Sequence, residues 1–187
     1  METSGTDRKR VLLRKGAHLL GGLPGLLPWS RSIGLIVTAI GTIFNATLLQ
    51  RFPFFKDVRR GTRDVGYVTY LLALFLAFLL VEPIVARAAW VELAVGDWAA
   101  AFFGILIGGP TVPWNRRKHW SGVLAHVGFG LIAVLLFAHY IIHVNWSASS
   151  ILLVVAACAL VETFLSEGWD NLLIVLMFCG LARLLLT

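Results

Sequence analysis

The chain has 187 residues, of which 58% are hydrophobic and only 14% charged, with mean hydropathy +0.83. Soluble domains carry about half apolar and about a quarter charged residues, so this composition excludes an ordinary soluble domain. It points to an all-α polytopic membrane bundle with one integral-membrane domain over residues 1–187.

The N-terminal stretch resembles a signal peptide in having a basic region (Arg8, Lys9, Arg10, Arg14, Lys15) before an apolar run. Pro24 and Pro28 interrupt that run and no A-x-A site follows, so a retained first helix is expected. Seven apolar segments follow the chain, over 12–29, 32–50, 65–86, 88–109, 121–143, 148–165 and 171–186. The first and last are short against the ~20 residues a spanning helix needs, so six to seven transmembrane helices joined by short loops are expected. The runs are continuous rather than alternating, which argues against a β-barrel. Cys158 and Cys179 both fall in apolar runs and read as small core side chains.

The net charge of +6 is clustered. With the N-terminus inside, one face collects Arg8, Lys9, Arg10, Arg14 and Lys15, then Arg51, Lys56, Arg59, Arg60 and Arg63, then Arg116, Arg117 and Lys118. Only Arg31, Arg87 and Arg183 remain for the other face. The positive-inside rule therefore places the N-terminus in the cytoplasm and, with seven spans, the C-terminus outside.

Four constellations carry candidate chemistry. Arg14, Lys15 and His18 share one helical face, where they would suit a phosphate or act as a juxtamembrane anchor. Gly96, Ala100, Gly104 and Gly108 recur every four residues and form a smooth ridge for close helix packing. Asp97 sits beside that ridge in an apolar helix, where a carboxylate is expensive and reads as functional or as half of an ion pair with Arg87 or His126. If the span is straight, Asp97 lies deep, so a broken half-helix near Gly96 or a water-filled cavity is expected. The loop from Pro110 to Gly122 concentrates Arg116, Arg117, Lys118 and His119 ahead of a helix start, which favours anions. It contains no Walker A motif. Lastly, Glu162, Asp170 and Asn171 place hard oxygen donors together, as Mg²⁺ sites do; a helix cap is the plainer reading of Asp170. All four map to one face of the membrane and together fit a phosphoryl-transfer site, where the protein positions groups and neutralises charge.

The series Arg14-Lys15-x-x-His18, Gly96-Asp97-x-x-Ala100-x-x-x-Gly104, Lys118 before Gly122, and Glu162 followed by Asp170-Asn171 resembles the membrane kinases of isoprenoid and lipid alcohols. These are the phytol kinases, the dolichol kinases and the CTP-dependent diacylglycerol kinases. The resemblance implies transfer of the terminal phosphate of a nucleoside triphosphate, commonly CTP, to a lipid hydroxyl, with Mg²⁺. It implies phosphate contacts from Lys118, Arg117, Arg116, Arg14 and Lys15, with His18 and Gly122 beside them. Glu162, Asp170 and Asn171 would hold or orient Mg²⁺, and Asp97 would be a further metal ligand or the base for the hydroxyl. The partners implied are a lipid alcohol, a nucleotide and membrane lipids, with no nucleic acid. Gly104 to Gly108 lack the two arginines of the family's usual central loop, for which Arg116 and Arg117 are substitutes. Two other readings use the same residues: cytidylyl transfer to a lipid phosphate, and a small transporter or flippase with Asp97 and Glu82 as relay acids.

Overall fold

The computed structural model describes residues 5–47, 65–165 and 168–186. The basic positions Arg51, Lys56, Arg59, Arg60 and Arg63 lie outside the described residues. Seven α-helices are seen among the described residues: α1 (Gly5–Leu20), α2 (Arg31–Thr47), α3 (Val65–Leu80), α4 (Pro83–Ile107), α5 (Trp120–Leu136), α6 (Ala148–Phe164) and α7 (Asp170–Leu185). A two-stranded antiparallel hairpin, β1 (Thr111–Val112) and β2 (Asn115–His119), joins α4 to α5.

Several boundaries differ from the sequence expectation for clear reasons. The first apolar segment is not one helix. Pro24 cannot supply a backbone donor, so α1 stops at Leu20 and a short 3-10 turn (Leu23–Leu26) follows. The expected break between the third and fourth segments moves from residue 87 to Val81–Glu82, because Pro83 takes the first helical position of α4, where its fixed φ is favourable. From there α4 runs unbroken for 25 residues, about 37 Å at 1.5 Å per residue. No half-helix starts near Gly96. The helix ends where Gly108 (φ 63°) and Gly109 (φ 91°) take left-handed conformations that a side chain would strain.

Two helical stretches are long and apolar enough to cross a membrane, Pro83–Ile107 and Trp120–Ile141, the latter including a π turn after α5. Three apolar helices are shorter, namely α2, α3 and α6. The outward faces are apolar. On α2, Ile33, Ile36, Ile40 and Ile43 are 47 to 63% exposed, whereas Gly34 and Thr38 face inward. The interior meanwhile holds Arg14, Lys15, Arg87, Glu92, Asp97, His126, Glu162 and Asp170. This is the reverse of a water-soluble helix, which turns its apolar stripe to the core.

The apolar core lies around Leu74, Phe78, Trp90, Leu93, Ile151 and Phe178, contributed by α3, α4, α6 and α7. Helices α4 and α5 meet along the small-residue ridge. A Cβ on Gly122 would lie 2.5 Å from the Ala100 carbonyl oxygen, and one on Gly104 would lie 3.7 Å from the Gly122 Cα. The ridge thus brings two backbones together, as small residues do between membrane helices.

Candidate active site

Asp97 projects from the middle of α4 and is fully buried. Its Oδ1 accepts a hydrogen bond from Lys15 Nζ on α1, and its Oδ2 lies 3.6 Å from His18 Nδ1. Lys15 and His18 reach it because they are three residues apart on one face of α1. His18 is itself wedged between aromatic rings, 4.8 Å from Tyr70 and 5.4 Å from Tyr67 by centroid. The ion pair of Asp97 is thus with Lys15, neither with Arg87 nor with His126.

Arg87 serves the other end of α4. Its Nε donates to the Gly25 carbonyl at 3.1 Å and its Nη2 to the Leu26 carbonyl at 2.9 Å, and its guanidinium lies 5.2 Å from the Phe137 ring centre. It pins the 3-10 turn to the bundle.

The hairpin delivers the second ammonium. Trp114 Nε1 donates to Thr163 Oγ1 and Asn115 Nδ2 to the Thr163 carbonyl, both at 2.9 Å, and the Trp114 ring stacks on Phe164 at 5.0 Å. These contacts fasten the hairpin to the end of α6. Lys118 then turns inward, and its Nζ donates to both the carbonyl and Oε1 of Glu162 at 2.6 Å. It also lies 4.0 Å from Asp170 Oδ2. Its side chain is 19% exposed, more open than those of the carboxylates it meets, so the route to water passes the hairpin.

Asp170 is fixed from below. The turn before α7 places Gly168 at φ 103°, and the Gly168 and Asn171 amides donate to Asp170 Oδ1 at 2.9 and 3.1 Å. Thr69 Oγ1 donates to the Gly168 carbonyl, and Asn171 Nδ2 donates to the Gly66 carbonyl at 3.0 Å. The α6–α7 turn is therefore tied to α3. With Oδ1 so engaged, Oδ2 of Asp170 is left towards the cluster.

Asp97, Glu162 and Asp170 each offer a carboxylate oxygen, and these three atoms lie within 4.8 Å of one another. The acids come from three helices, and Asp97 is far in sequence from Glu162 and Asp170. Two buried oxygens nearby, Asp97 Oδ2 and Asn171 Oδ1, make no hydrogen bond. An oxygen-rich, carboxylate-dominated donor set with spare lone pairs fits a hard divalent cation.

The structure therefore brings Lys15, His18, Asp97, Lys118, Glu162, Asp170 and Asn171 into one cluster, and Arg14 is buried on the same helix as Lys15. It does not bring Arg116 or Arg117 into that cluster; both are exposed on the hairpin. Gly122 lies at the α4–α5 crossing, where it packs against backbone. Glu82 caps the start of α4, is largely exposed, and faces Arg31 at 3.5 Å. Fifteen residues of helix separate it from Asp97, about 22 Å, so the two acids form no relay.

The sequence reading missed how Glu92 and His126 join this cluster. His126 on α5 places Nδ1 2.7 Å from Glu162 Oε2 and Nε2 2.7 Å from Glu92 Oε1. The signal was available: each is an ionisable side chain inside an apolar run, A-A-W-V-E-L-A-V and G-V-L-A-H-V-G-F.

Two curated relatives are similar to this chain. One is the chloroplast enzyme phytol kinase 1 of Arabidopsis thaliana, 27% identical over 164 residues that cover 75% of this chain and 54% of the relative. The other is a probable chloroplast phytol kinase of Triticum aestivum, 26% identical over 186 residues covering 84% and 62%. The chain thus spans between half and two thirds of the length of these relatives. No family model and no solved structure matches it. The similarity is thus a distant one, to plant phytol kinases.

Proposed function

We propose that this chain is a Mg²⁺-dependent membrane kinase that transfers the terminal phosphate of CTP, or of another nucleoside triphosphate, to the hydroxyl of an isoprenoid or other lipid alcohol. The observation that carries the reading is the meeting of Asp97, Glu162 and Asp170 within 4.8 Å, between the ammonium groups of Lys15 and Lys118. The distant similarity to phytol kinases supplies the acceptor class. The apolar outward faces and the two long apolar helices favour a bilayer around the bundle, with six to seven helices crossing it. The clustered basic residues favour a cytoplasmic N-terminus and a cytoplasmic opening for the site.

Asp97, Glu162 and Asp170 would hold the cation, with Asn171 beside them. When bound, the cation supplies charge neutralisation on the phosphates. Lys118 stands at the most open edge and binds the incoming phosphates, exchanging its contact with Glu162 for a phosphate oxygen. Lys15 keeps Asp97 in place through their ion pair, and Arg14 adds positive charge at the end of α1. The lipid hydroxyl oxygen forms the new bond to the terminal phosphorus, the bond from that phosphorus to the bridging oxygen breaks, and the nucleoside diphosphate leaves. In a loose transition state the hydroxyl proton departs late, to a phosphoryl oxygen or to water. The lipid chain lies against the outward apolar faces.

The test is label transfer in membranes or detergent. The purified chain is offered γ-labelled CTP and ATP in parallel, with phytol, geranylgeraniol, a polyprenol and diacylglycerol. Label in one lipid with release of nucleoside diphosphate supports the kinase. Release of pyrophosphate from CTP with a lipid phosphate as acceptor would replace it with cytidylyl transfer.

A further inference from the structure

The metal-facing carboxylate Glu162 is backed by two groups that touch none of the proposed reactants. His126 and Glu92 are both 0% exposed. Glu162 Oε1 meets Lys118 and Oε2 meets His126 Nδ1, while His126 Nε2 meets Glu92 Oε1, each of the two histidine contacts at 2.7 Å. The chain of contacts therefore runs from the hairpin, through the acid on α6, across α5 and into α4.

We propose that Glu92 and His126 are positioning residues: a buried Glu92–His126 pair locks the rotamer of Glu162, so that its carboxylate is preset for the divalent cation. The inference rests on the kinase reading only for its chemistry, and its geometry stands without it. Three observations carry it. Both ring nitrogens of His126 face carboxylate oxygens, so the ring cannot rotate without losing a contact on each side. Carboxylates accept only, so the ring and the two acids share the two protons that these contacts require. Glu92 leaves its Oε2 buried with no hydrogen-bond partner. An unsatisfied buried carboxylate oxygen is costly, and packing alone gives no reason to keep one there. Lastly, the backbone is carved to fit the ring. A Cβ on Gly96 would lie 2.6 Å from His126 Nε2 and 2.7 Å from its Cδ2. The first glycine of the small-residue ridge thus clears a slot for an imidazole.

Outer partners of metal ligands fix ligand orientation, and losing one typically lowers metal affinity about 10- to 100-fold. The test is Mn²⁺ binding to the purified full chain in detergent, read by electron paramagnetic resonance without nucleotide or lipid, beside circular dichroism and thermal melting. His126→Leu and Glu92→Leu are expected to weaken Mn²⁺ at least about 10-fold with helicity retained. Glu92→Gln keeps an oxygen acceptor for Nε2 and is expected to hold Mn²⁺ close to the wild-type affinity. Gly96→Ala removes no polar group but displaces the ring, and it is expected to weaken Mn²⁺ as well. It carries the test should the leucine variants not fold. Unchanged Mn²⁺ affinity in folded His126→Leu or Gly96→Ala would overturn the proposal, as would a wild-type chain that binds no Mn²⁺. A chain that binds Mn²⁺ through this network yet labels no lipid would overturn the kinase reading and leave the positioning role standing. A labelling enzyme with variant-insensitive Mn²⁺ binding would do the reverse.

Discussion

The first turns and the middle of α4 both bury charge, and they do so in opposite ways. At the Pro83 end one cation, Arg87, is closed off by two backbone carbonyls and an aromatic ring. Further along the helix, Asp97 pairs with Lys15 and lies within 4.8 Å of Glu162 and Asp170, which Lys118 approaches, with His126 and Glu92 behind, and several oxygens remain without donors. Arg87 completes itself within the fold and works as a staple. The carboxylate cluster does not complete itself, and unfilled oxygen acceptors inside an apolar helical bundle suit a hard cation. The difference separates a buried charge that holds the structure from buried charges that, in the proposed function, would hold a cation.

That contrast can be broken or sharpened by substitution. The largest effect is expected for Asp97→Asn, which keeps volume but removes one of three anionic donors. Label transfer per folded protein should fall by roughly 10³-fold or more, and the melting temperature should drop as well, because the buried Lys15 loses its counter-charge. Chelation of divalent metal should abolish label transfer in the wild type and restore it on adding Mg²⁺ back. Next comes Lys118→Met, which keeps the stem and deletes the ammonium. A loss of roughly 10²-fold in kcat/KM for the nucleotide is expected, since hydrogen bonds between charged groups are the strong ones. Trp114→Ala should loosen the hairpin from Thr163 and Phe164 and raise the nucleotide KM by a smaller factor than Lys118→Met, leaving Mn²⁺ binding intact. At the other end, Arg87→Met should strand the Gly25 and Leu26 carbonyls, lower stability by about 1–3 kcal/mol, and leave kcat near that of the wild type in the folded fraction. Smallest of all is Arg116→Ala, whose side chain is exposed on the hairpin outside the cluster; kinetics at physiological salt should barely move.

Much of the site was legible because burying a charge in an apolar helix is expensive enough to mark the sequence. Asp97 and Glu162 stand out in apolar runs and Asp170 at a helix start, and their expected placement on one face groups them. The 3-10 turn after α1 and the long α4 were less legible, because proline rules locate a break only to within a few residues. Pro83 sits where a helix can start as easily as stop. Glu92 and His126 could be seen singly but not as a pair, since α4 and α5 bring them together across a crossing whose register no local pattern encodes. The small-residue ridge was read as a packing surface, and it is one at Gly104 and Gly122. Its first glycine has a second use, making room for an imidazole, which spacing alone cannot reveal. Arg116 and Arg117 show the converse: a run of basic residues looks uniform in sequence, yet both stay exposed while Lys118 reaches Glu162.

The most direct measurement compares Asp97→Asn and Arg87→Met side by side for label transfer from γ-labelled nucleotide to lipid alcohol, each normalised to folded protein. The account predicts that folded Asp97→Asn is inactive and that folded Arg87→Met is active. An Asp97→Asn chain that turns over near the wild-type rate, or that loses its fold while Arg87→Met loses only activity, would contradict it.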